Sequence, residues 1–174
     1  SYFCCDQESA LIPSVWRAYW MKHHCNKDLF VSELNDLLNN SEIQRMAGYE
    51  QHQGNTTLQH VLNVAMVSFR IADRLGLDID ERALAKGAVL HDFYLYNIPE
   101  TGLSDYRHGV SHPELAVRNA KKVMTLNKKE ENIIRSHMWP LTLFHPPQSK
   151  EAVVVMMADK YCAVREMVFR KKTV

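Results

Sequence analysis

Apolar residues recur every three or four positions along most of this chain, which is the spacing of one helical face. The segment KDLFVSELNDLLNN, for example, places Phe30, Leu34 and Leu37 on one stripe. An earlier segment, SALIPSVWRAYWMKH, has the same period, and no segment shows a sustained alternation of apolar and polar residues. The pattern therefore predicts an all-α fold that begins with two helices.

Capping residues and helix breakers predict where the central helices begin and end. Thr56 and Gln59 have the spacing of a capping box, and Gly76 follows the last apolar position. A long helix is therefore expected from about Thr57 to Leu75. The next segment, DIDERALAKGAVLHD, forms another helix that one of its first two aspartates caps.

The second half of the chain predicts a loop and three more helices. Residues 97–110 are rich in Pro, Gly and Asp, so they are expected to form a loop. Ser111 and Glu114 then have capping-box spacing, which places a helix start in SHPELAVRNAKKVM. Asn127 caps a short helix, and the last helix is expected over residues 150–170.

Composition favours one soluble globular domain. The chain has 174 residues, of which 46% are apolar and 24% charged. We expect a single compact helical bundle in which the helices of residues 1–50 pack on a core formed by residues 51–174. A net charge of +1 gives no support for binding to duplex nucleic acid or to an anionic membrane.

Cysteine usage and hydropathy favour a cytoplasmic protein. The four cysteines have no C-x-x-C spacing, which is typical of reduced thiols rather than of a disulfide framework. No apolar run reaches the roughly 20 residues that a membrane helix needs. The first residues also lack the basic and apolar regions of a signal peptide.

Four polar residues occupy helix positions that should face the core. His60, His91, His137 and Asp159 each align with apolar residues three or four positions away. Taken singly, each has an ordinary alternative, namely a hydrogen-bonded core histidine or a buried aspartate in an ion pair. Together, four buried polar groups need a common partner, because each one left unpaired costs about 1–3 kcal/mol. A metal ion held between helices is such a partner, and imidazole with carboxylate favours Fe, Mn, Zn, Co or Ni over Ca.

These residues also carry a resemblance to a known family. The segments TTLQHVLNVA, KGAVLHDF and VVVMMADKYCAV contain His60, the adjacent pair His91 and Asp92, and Asp159, in that order. They resemble the signature segments of the HD-domain superfamily of metal-dependent phosphohydrolases, over about residues 52–166. The resemblance implies an all-α HD domain in which these four residues bind a metal ion and in which His91 and Asp92 have the catalytic role.

Two further histidines match the two-metal branch of that superfamily. His112 in SHPELAVRNA and His137 in IIRSHMW stand where that branch has additional ligands. The resemblance implies a second ion held by these two histidines, with Asp92 bridging both ions. It therefore implies one or two divalent transition metal ions as cofactor, with Fe or Mn favoured and Zn, Ni or Co as alternatives. For His112 the alternative is an exposed position at the start of a helix.

The expected activity is hydrolysis of a phosphate ester in a nucleotide or similar small phosphorylated compound, by a monomer or homodimer. Cations near the site should bind the rest of the phosphate, and the candidates are Arg107, His108 and Lys160, with a solvated surface charge as the alternative for each. Less direct candidates border the same segments: His52 and His145 as pocket residues, and Tyr94, Tyr96 and Trp139 either as a stacking platform or as core packing.

Two other functions remain open from the sequence. A diiron oxygenase on the same fold would use the same six ligands, although such enzymes typically have a lysine soon after the H-D pair, where this chain has Phe93 to Tyr96. The second open function is that of a non-catalytic sensor of metal or nucleotide.

The chain lacks the Gly-Tyr-Pro segment of HD-type cyclic-di-GMP phosphodiesterases. It resembles instead bacterial HD-domain proteins with HDF-Y-LY, HP-LA--NA, HM-PLT and DKYCA segments.

Overall fold

The computed structural model describes residues 25–52, 55–97, 100, 102 and 104–170. The regular structure of these residues consists of seven α-helices, one short 3-10 helix (Arg45–Gly48) and one small hairpin. The helices are α1 (Lys27–Leu38), α2 (Ser41–Gln44), α3 (Thr57–Arg74), α4 (Glu81–Leu90), α5 (Asp105–Val123), α6 (Lys128–Ser136) and α7 (Lys150–Arg170). The strands β1 (Glu50–His52) and β2 (Asn55–Thr56) pair antiparallel. The all-α prediction is confirmed.

The first predicted helix lies outside the described residues, and the division of the chain near residue 50 stays a prediction. The second predicted helix is confirmed as α1, capped by the side chain of Asn26. Among the described residues, no helix has the combination of length and apolar character that crossing a membrane requires.

Most helix bounds follow the caps that the sequence predicted. The capping box of Thr56 and Gln59 starts α3, the Asp80 side chain accepts a hydrogen bond at the start of α4, and Asn127 caps α6. Gly76 has φ +59°, a left-handed conformation that suits glycine after the end of α3.

The predicted start of α5 is wrong. The helix begins at Asp105, capped by Ser104, whose side chain accepts a hydrogen bond from the backbone N–H of Arg107. Ser111 is not a cap, because its hydroxyl donates to the Arg107 carbonyl within the helix. The helix continues through Pro113, which the sequence pattern had placed just inside a helix start. Residues 105–110 are therefore helical rather than part of a loop.

Helix α3 is central and packs against α4 and α7, while α6 packs against α4, α5 and α7. The ring centroids of Phe30 and Phe69 lie 4.6 Å apart in the core beneath α1. Gly87 allows α4 and α6 to approach closely, because a Cβ atom there would collide with the side chain of Ile133. The close approach brings the ends of these two helices together.

Candidate metal centre

Six polar side chains converge at one end of the bundle, and all six are buried. They are His60 in the first turn of α3, His91 and Asp92 at the end of α4, His112 in α5, His137 at the end of α6, and Asp159 within α7. These are the six residues that the sequence predicted as ligands. The structure brings them together, and their role as ligands stays a prediction.

The first group consists of His60, His91 and Asp159 together with one oxygen of Asp92. The Oδ1 atom of Asp159 lies 3.1 Å from His60 Nε2 and 3.5 Å from His91 Nε2. The Oδ2 atom of Asp92 lies 3.4 Å from His91 Nε2 and 3.8 Å from His60 Nε2. Ligand atoms about 2.1 Å from one ion at cis or tetrahedral angles would lie about 3.0–3.4 Å apart. The separations of 3.1 and 3.4 Å fall within that range and those of 3.5 and 3.8 Å exceed it slightly, so the group is close to the spacing that a shared ion needs.

The second group consists of His112, His137 and the other oxygen of Asp92. The Oδ1 atom of Asp92 lies 3.1 Å from His112 Nε2 and 3.6 Å from His137 Nε2. The two histidine Nε2 atoms are 2.8 Å apart. Asp92 therefore points one carboxylate oxygen at each group, which is the arrangement that a bridging carboxylate has.

Backbone carbonyls fix the ring orientation of three of the histidines. The Nδ1 atoms of His91 and His137 donate to the carbonyls of Ala88 and Ile134, at 2.7 Å in both cases. These carbonyls belong to the last turns of α4 and α6, where no helical N–H is available to them. In α5, His112 Nδ1 donates to the His108 carbonyl at 2.9 Å. Each Nε2 atom is therefore left to face the centre, as in histidine ligands of metals.

Buried polar atoms without a hydrogen-bond partner indicate that the six side chains fit a metal ion. His91 Nε2 and Asp92 Oδ1 are buried and make no hydrogen bond of acceptable geometry. The Nε2 atoms of His112 and His137 face each other, and both rings already use the Nδ1 proton for a carbonyl. If both rings are neutral, two lone pairs meet at 2.8 Å, so the contact requires either a proton or a metal ion at these atoms. Imidazole and carboxylate donors suit divalent transition metals.

The pKa values of the histidines diverge across the centre. Burial lowers the pKa of His60, but hydrogen bonds with the carboxylates of Asp159 and Glu166 outweigh it and raise that pKa to about 9. Burial, with His91 and His112 nearby, lowers the pKa of His137 to about 3. Burial opposes ionisation of Asp92, yet His91 and His112 hold the pKa of that carboxyl well below its usual range.

Two residues of the site were not predicted from the sequence. Glu166 lies two turns after Asp159 on α7, and its Oε2 atom accepts a hydrogen bond from His60 Nδ1 at 3.1 Å. Glu166 could have been found from the sequence, because residues two helical turns apart lie on the same face of a helix, as Glu166 and Asp159 do. Gln51 in β1 donates from Nε2 to Asp92 Oδ2 at 2.6 Å and accepts from the hydroxyls of Tyr94 and Thr57. Nothing in the local pattern indicated that the hairpin reaches the centre.

A cavity of about 700 Å³ opens beside the centre. Its lining residues are Gln51, Asp92, His108, Gly109, His112, His137, Met138, Pro140, Leu141, Asp159, Lys160 and Ala163. Two of the three predicted phosphate-binding residues, His108 and Lys160, are among them. Arg107 is exposed on α5 and is not one of the lining residues, so the structure does not bring it to the cavity.

The less direct candidates are placed as follows. Tyr94 and Tyr96 have ring centroids 4.7 Å apart, and the Tyr96 hydroxyl makes a 2.9 Å hydrogen bond with His108 Nδ1, which favours the packing alternative for both. Trp139 is partly buried and His145 is exposed, and neither lines the cavity. The side chain of His52 lies outside what the structure describes.

Comparisons with known proteins give one finding for this chain. A family model described as HD domain matches residues 57–164, which contain all six residues of the centre. No curated protein and no solved structure matches the chain.

Proposed function

The chain belongs to the HD-domain family, and on that premise we propose that it is a phosphohydrolase that cleaves a phosphate ester of a small molecule. Membership of the family and the cluster of histidines and aspartates indicate, more generally, a metal-dependent hydrolase with a divalent metal site. The phosphate ester, the two-ion site and the preference for Fe or Mn are the finer parts of the proposal.

In this proposal the two groups of side chains hold two ions. His60, His91 and Asp159 hold one ion, His112 and His137 hold the other, and Asp92 contributes one oxygen to each. Bound divalent ions would lower the pKa of a bound water towards about 7 and would offset negative charge on the phosphoryl oxygens.

The remaining residues bind and orient the ester. Lys160 lines the cavity and is anchored by a 2.8 Å hydrogen bond from Nζ to the His137 carbonyl, so its positive charge lies beside the second group. The ring of His108 stacks on that of His112, with centroids 4.5 Å apart, and offers a second polar group to a phosphate. Glu166 and Gln51 orient His60 and Asp92. The partner is a small phosphorylated molecule, bound by a monomer or homodimer without nucleic-acid duplex or membrane.

The observation that carries the proposal is the carboxylate of Asp92, which lies between two separate sets of imidazoles with one oxygen towards each. An aspartate in a structural ion pair needs only one cationic partner. An aspartate that holds two metal ions around a shared water must instead direct one oxygen to each ion.

The test is phosphate release by protein reconstituted with Fe or Mn, with 4-nitrophenyl phosphate as the probe. We expect activity that disappears in the variant His91→Ala, Asp92→Ala and that persists in Asp36→Ala, which removes an exposed carboxylate of α1. Activity that survives unchanged in the double variant contradicts the site. Oxygen uptake without phosphate release, in the iron-loaded protein, would favour the oxygenase instead.

A further inference from the structure

The cavity beside the centre is lined by residues of two chemical kinds. The polar ones are the candidate ligands together with Lys160, His108 and Gln51. The small or apolar ones are Gly109, Met138, Pro140, Leu141 and Ala163. A ligand that fills this cavity therefore meets both polar groups that can bind an anion and apolar side chains.

Apart from the metal ions of the proposed function, the cavity lining offers few cationic side chains. Among the described lining residues, Lys160 is the one lysine and no arginine is present. The side chains of Met138, Pro140 and Leu141 offer no hydrogen-bond donor, so a phosphate group beyond the one held at the centre would gain nothing from them. An apolar group, by contrast, is stabilised by burial against such side chains.

Part of the apolar lining reaches the surface of the protein. Leu141 lines the cavity and remains 39% exposed, and the same loop carries Leu143 and Phe144 at 68% and 94% exposure. Gly109 of α5 lies against this loop, since a Cβ atom there would come within 2.8 Å of Leu141 Cδ2 and 3.3 Å of Met138 Cε. Exposed apolar side chains next to a cavity are typical of a surface that covers the apolar part of a ligand.

We propose that the substrate is a monophosphate ester of a mainly apolar alcohol, with an aryl or alkyl group against Met138, Pro140 and Leu141. The inference rests on the proposed phosphohydrolase function and narrows it, because the lining beyond the centre offers one lysine and several apolar side chains rather than the several cations that would bind a polyphosphate. Hydrolysis consumes one water, whose oxygen forms the new bond to phosphorus. The ester P–O bond breaks, and the alcohol oxygen takes a proton, which gives inorganic phosphate and the free alcohol.

The first test compares esters that share a phosphate and differ in the rest. Inorganic phosphate release from 1-naphthyl phosphate, glycerol 3-phosphate and ATP is measured with the metal-loaded protein. We expect KM for 1-naphthyl phosphate to lie at least about tenfold below both others, which corresponds to burying one ring against the apolar residues. The comparison uses KM because naphthol is a better leaving group than glycerol and raises kcat by itself.

A variant pair tests the apolar wall directly. Leu141→Asn should raise KM for 1-naphthyl phosphate severalfold and leave that for glycerol 3-phosphate unchanged. Leu75→Asn, the same change at a 67% exposed leucine after α3, should alter neither. Calorimetric titration with 1-naphthylmethylphosphonate and methylphosphonate, which are not hydrolysed, should show the same preference in binding alone.

The outcomes separate this inference from the function on which it rests. If KM for glycerol 3-phosphate or ATP is as low as that for 1-naphthyl phosphate, the substrate class is wrong and the phosphohydrolase stands. The substrate class is also wrong if Leu141→Asn and Leu75→Asn behave alike. If no ester releases phosphate, the proposed function itself fails and the substrate class falls with it.

Discussion

The two halves of the candidate centre share Asp92 but differ in the charge around their histidines. In the first group His60 lies between the carboxylates of Asp159 and Glu166, and its pKa is raised to about 9. In the second group His137 lies among other imidazoles, and its pKa is lowered to about 3. One half is thus rich in negative charge, whereas the other has a single carboxylate oxygen.

The difference bears on how strongly each half should hold a cation. Two carboxylates face the first position and a third lies behind His60, so a divalent ion there is compensated by the protein alone. The second position has two imidazoles and Asp92 Oδ1, so a divalent ion there would leave positive charge for an anionic ligand to offset. We therefore expect the first ion to bind more tightly and the second position to be completed by the phosphate of the substrate.

The largest effect should come from the residue that the two halves share. In Asp92→Ala both groups lose a carboxylate oxygen, so elemental analysis should show a marked loss of both ions. Activity should fall at least about a thousandfold, because the ions supply several kcal/mol of transition-state stabilisation. The exposed carboxylate variant Asp36→Ala should retain metal and activity. Full metal content in Asp92→Ala would refute the bridge.

A pair of variants should separate the halves. In His137→Ala we expect the first ion to remain, at about one per chain, because the first group is intact. Asp159→Ala removes a carboxylate from the first group, so the affinity of the tighter position should fall. Metal content measured after dialysis at several ion concentrations distinguishes the effect of His137→Ala from that of Asp159→Ala. Equal loss in both variants would show that the halves do not bind independently.

A smaller and more selective effect is expected for the carboxylate behind His60. Glu166→Gln should weaken the tighter ion by about tenfold or more, as for other partners of ligand histidines. The second position should be unaffected in chelator competition. In the metal-free protein the pKa of His60 should fall below the wild-type value of about 9, which NMR titration of the ring can follow. An unchanged affinity would assign Glu166 no role in orienting the ring.

The smallest effect on the centre should come from the spacing between the halves. Gly87→Ala puts a Cβ atom against Ile133 and separates α4 from α6, which carry His91 and His137 at their ends. The free energy of unfolding should drop by about 1–3 kcal/mol, as for other overpacked cores, and the weaker ion should be lost first. Gly48→Ala is the matched control, since nothing lies within 4 Å of its Cβ position. Urea unfolding of both variants makes the comparison.

Helix bounds could be predicted from the sequence wherever a cap and an apolar stripe agree. The capping box of Thr56 and Gln59 and the cap at Asn127 are local signals, and both are confirmed. The start of α5 was missed because Gly109 and Pro113 are helix breakers in isolation, and tertiary packing against Met138 and Leu141 is not visible in a local pattern.

The inward faces of the candidate ligands could also be predicted, because a helix places residues three and four apart on one side. His60, His91, His137 and Asp159 are all buried as that argument requires. The contact from Gln51 to Asp92 could not be predicted, since it joins a hairpin to the end of a distant helix. The position of Arg107 depended on the same unpredicted helix start: as part of α5 it is exposed rather than lining the cavity.

Opening of the small hairpin is coupled thermodynamically to the position of Asp92. Gln51 ties β1 to Asp92, Tyr94 and Thr57, so the short sheet can open only if these bonds break. Short elements of this kind open at low free-energy cost in most proteins. Any ligand that holds Asp92 in its present position must also slow the opening of the hairpin. Amide hydrogen exchange at β1 and β2 would then follow occupancy of the centre without any contact between those amides and the ligand.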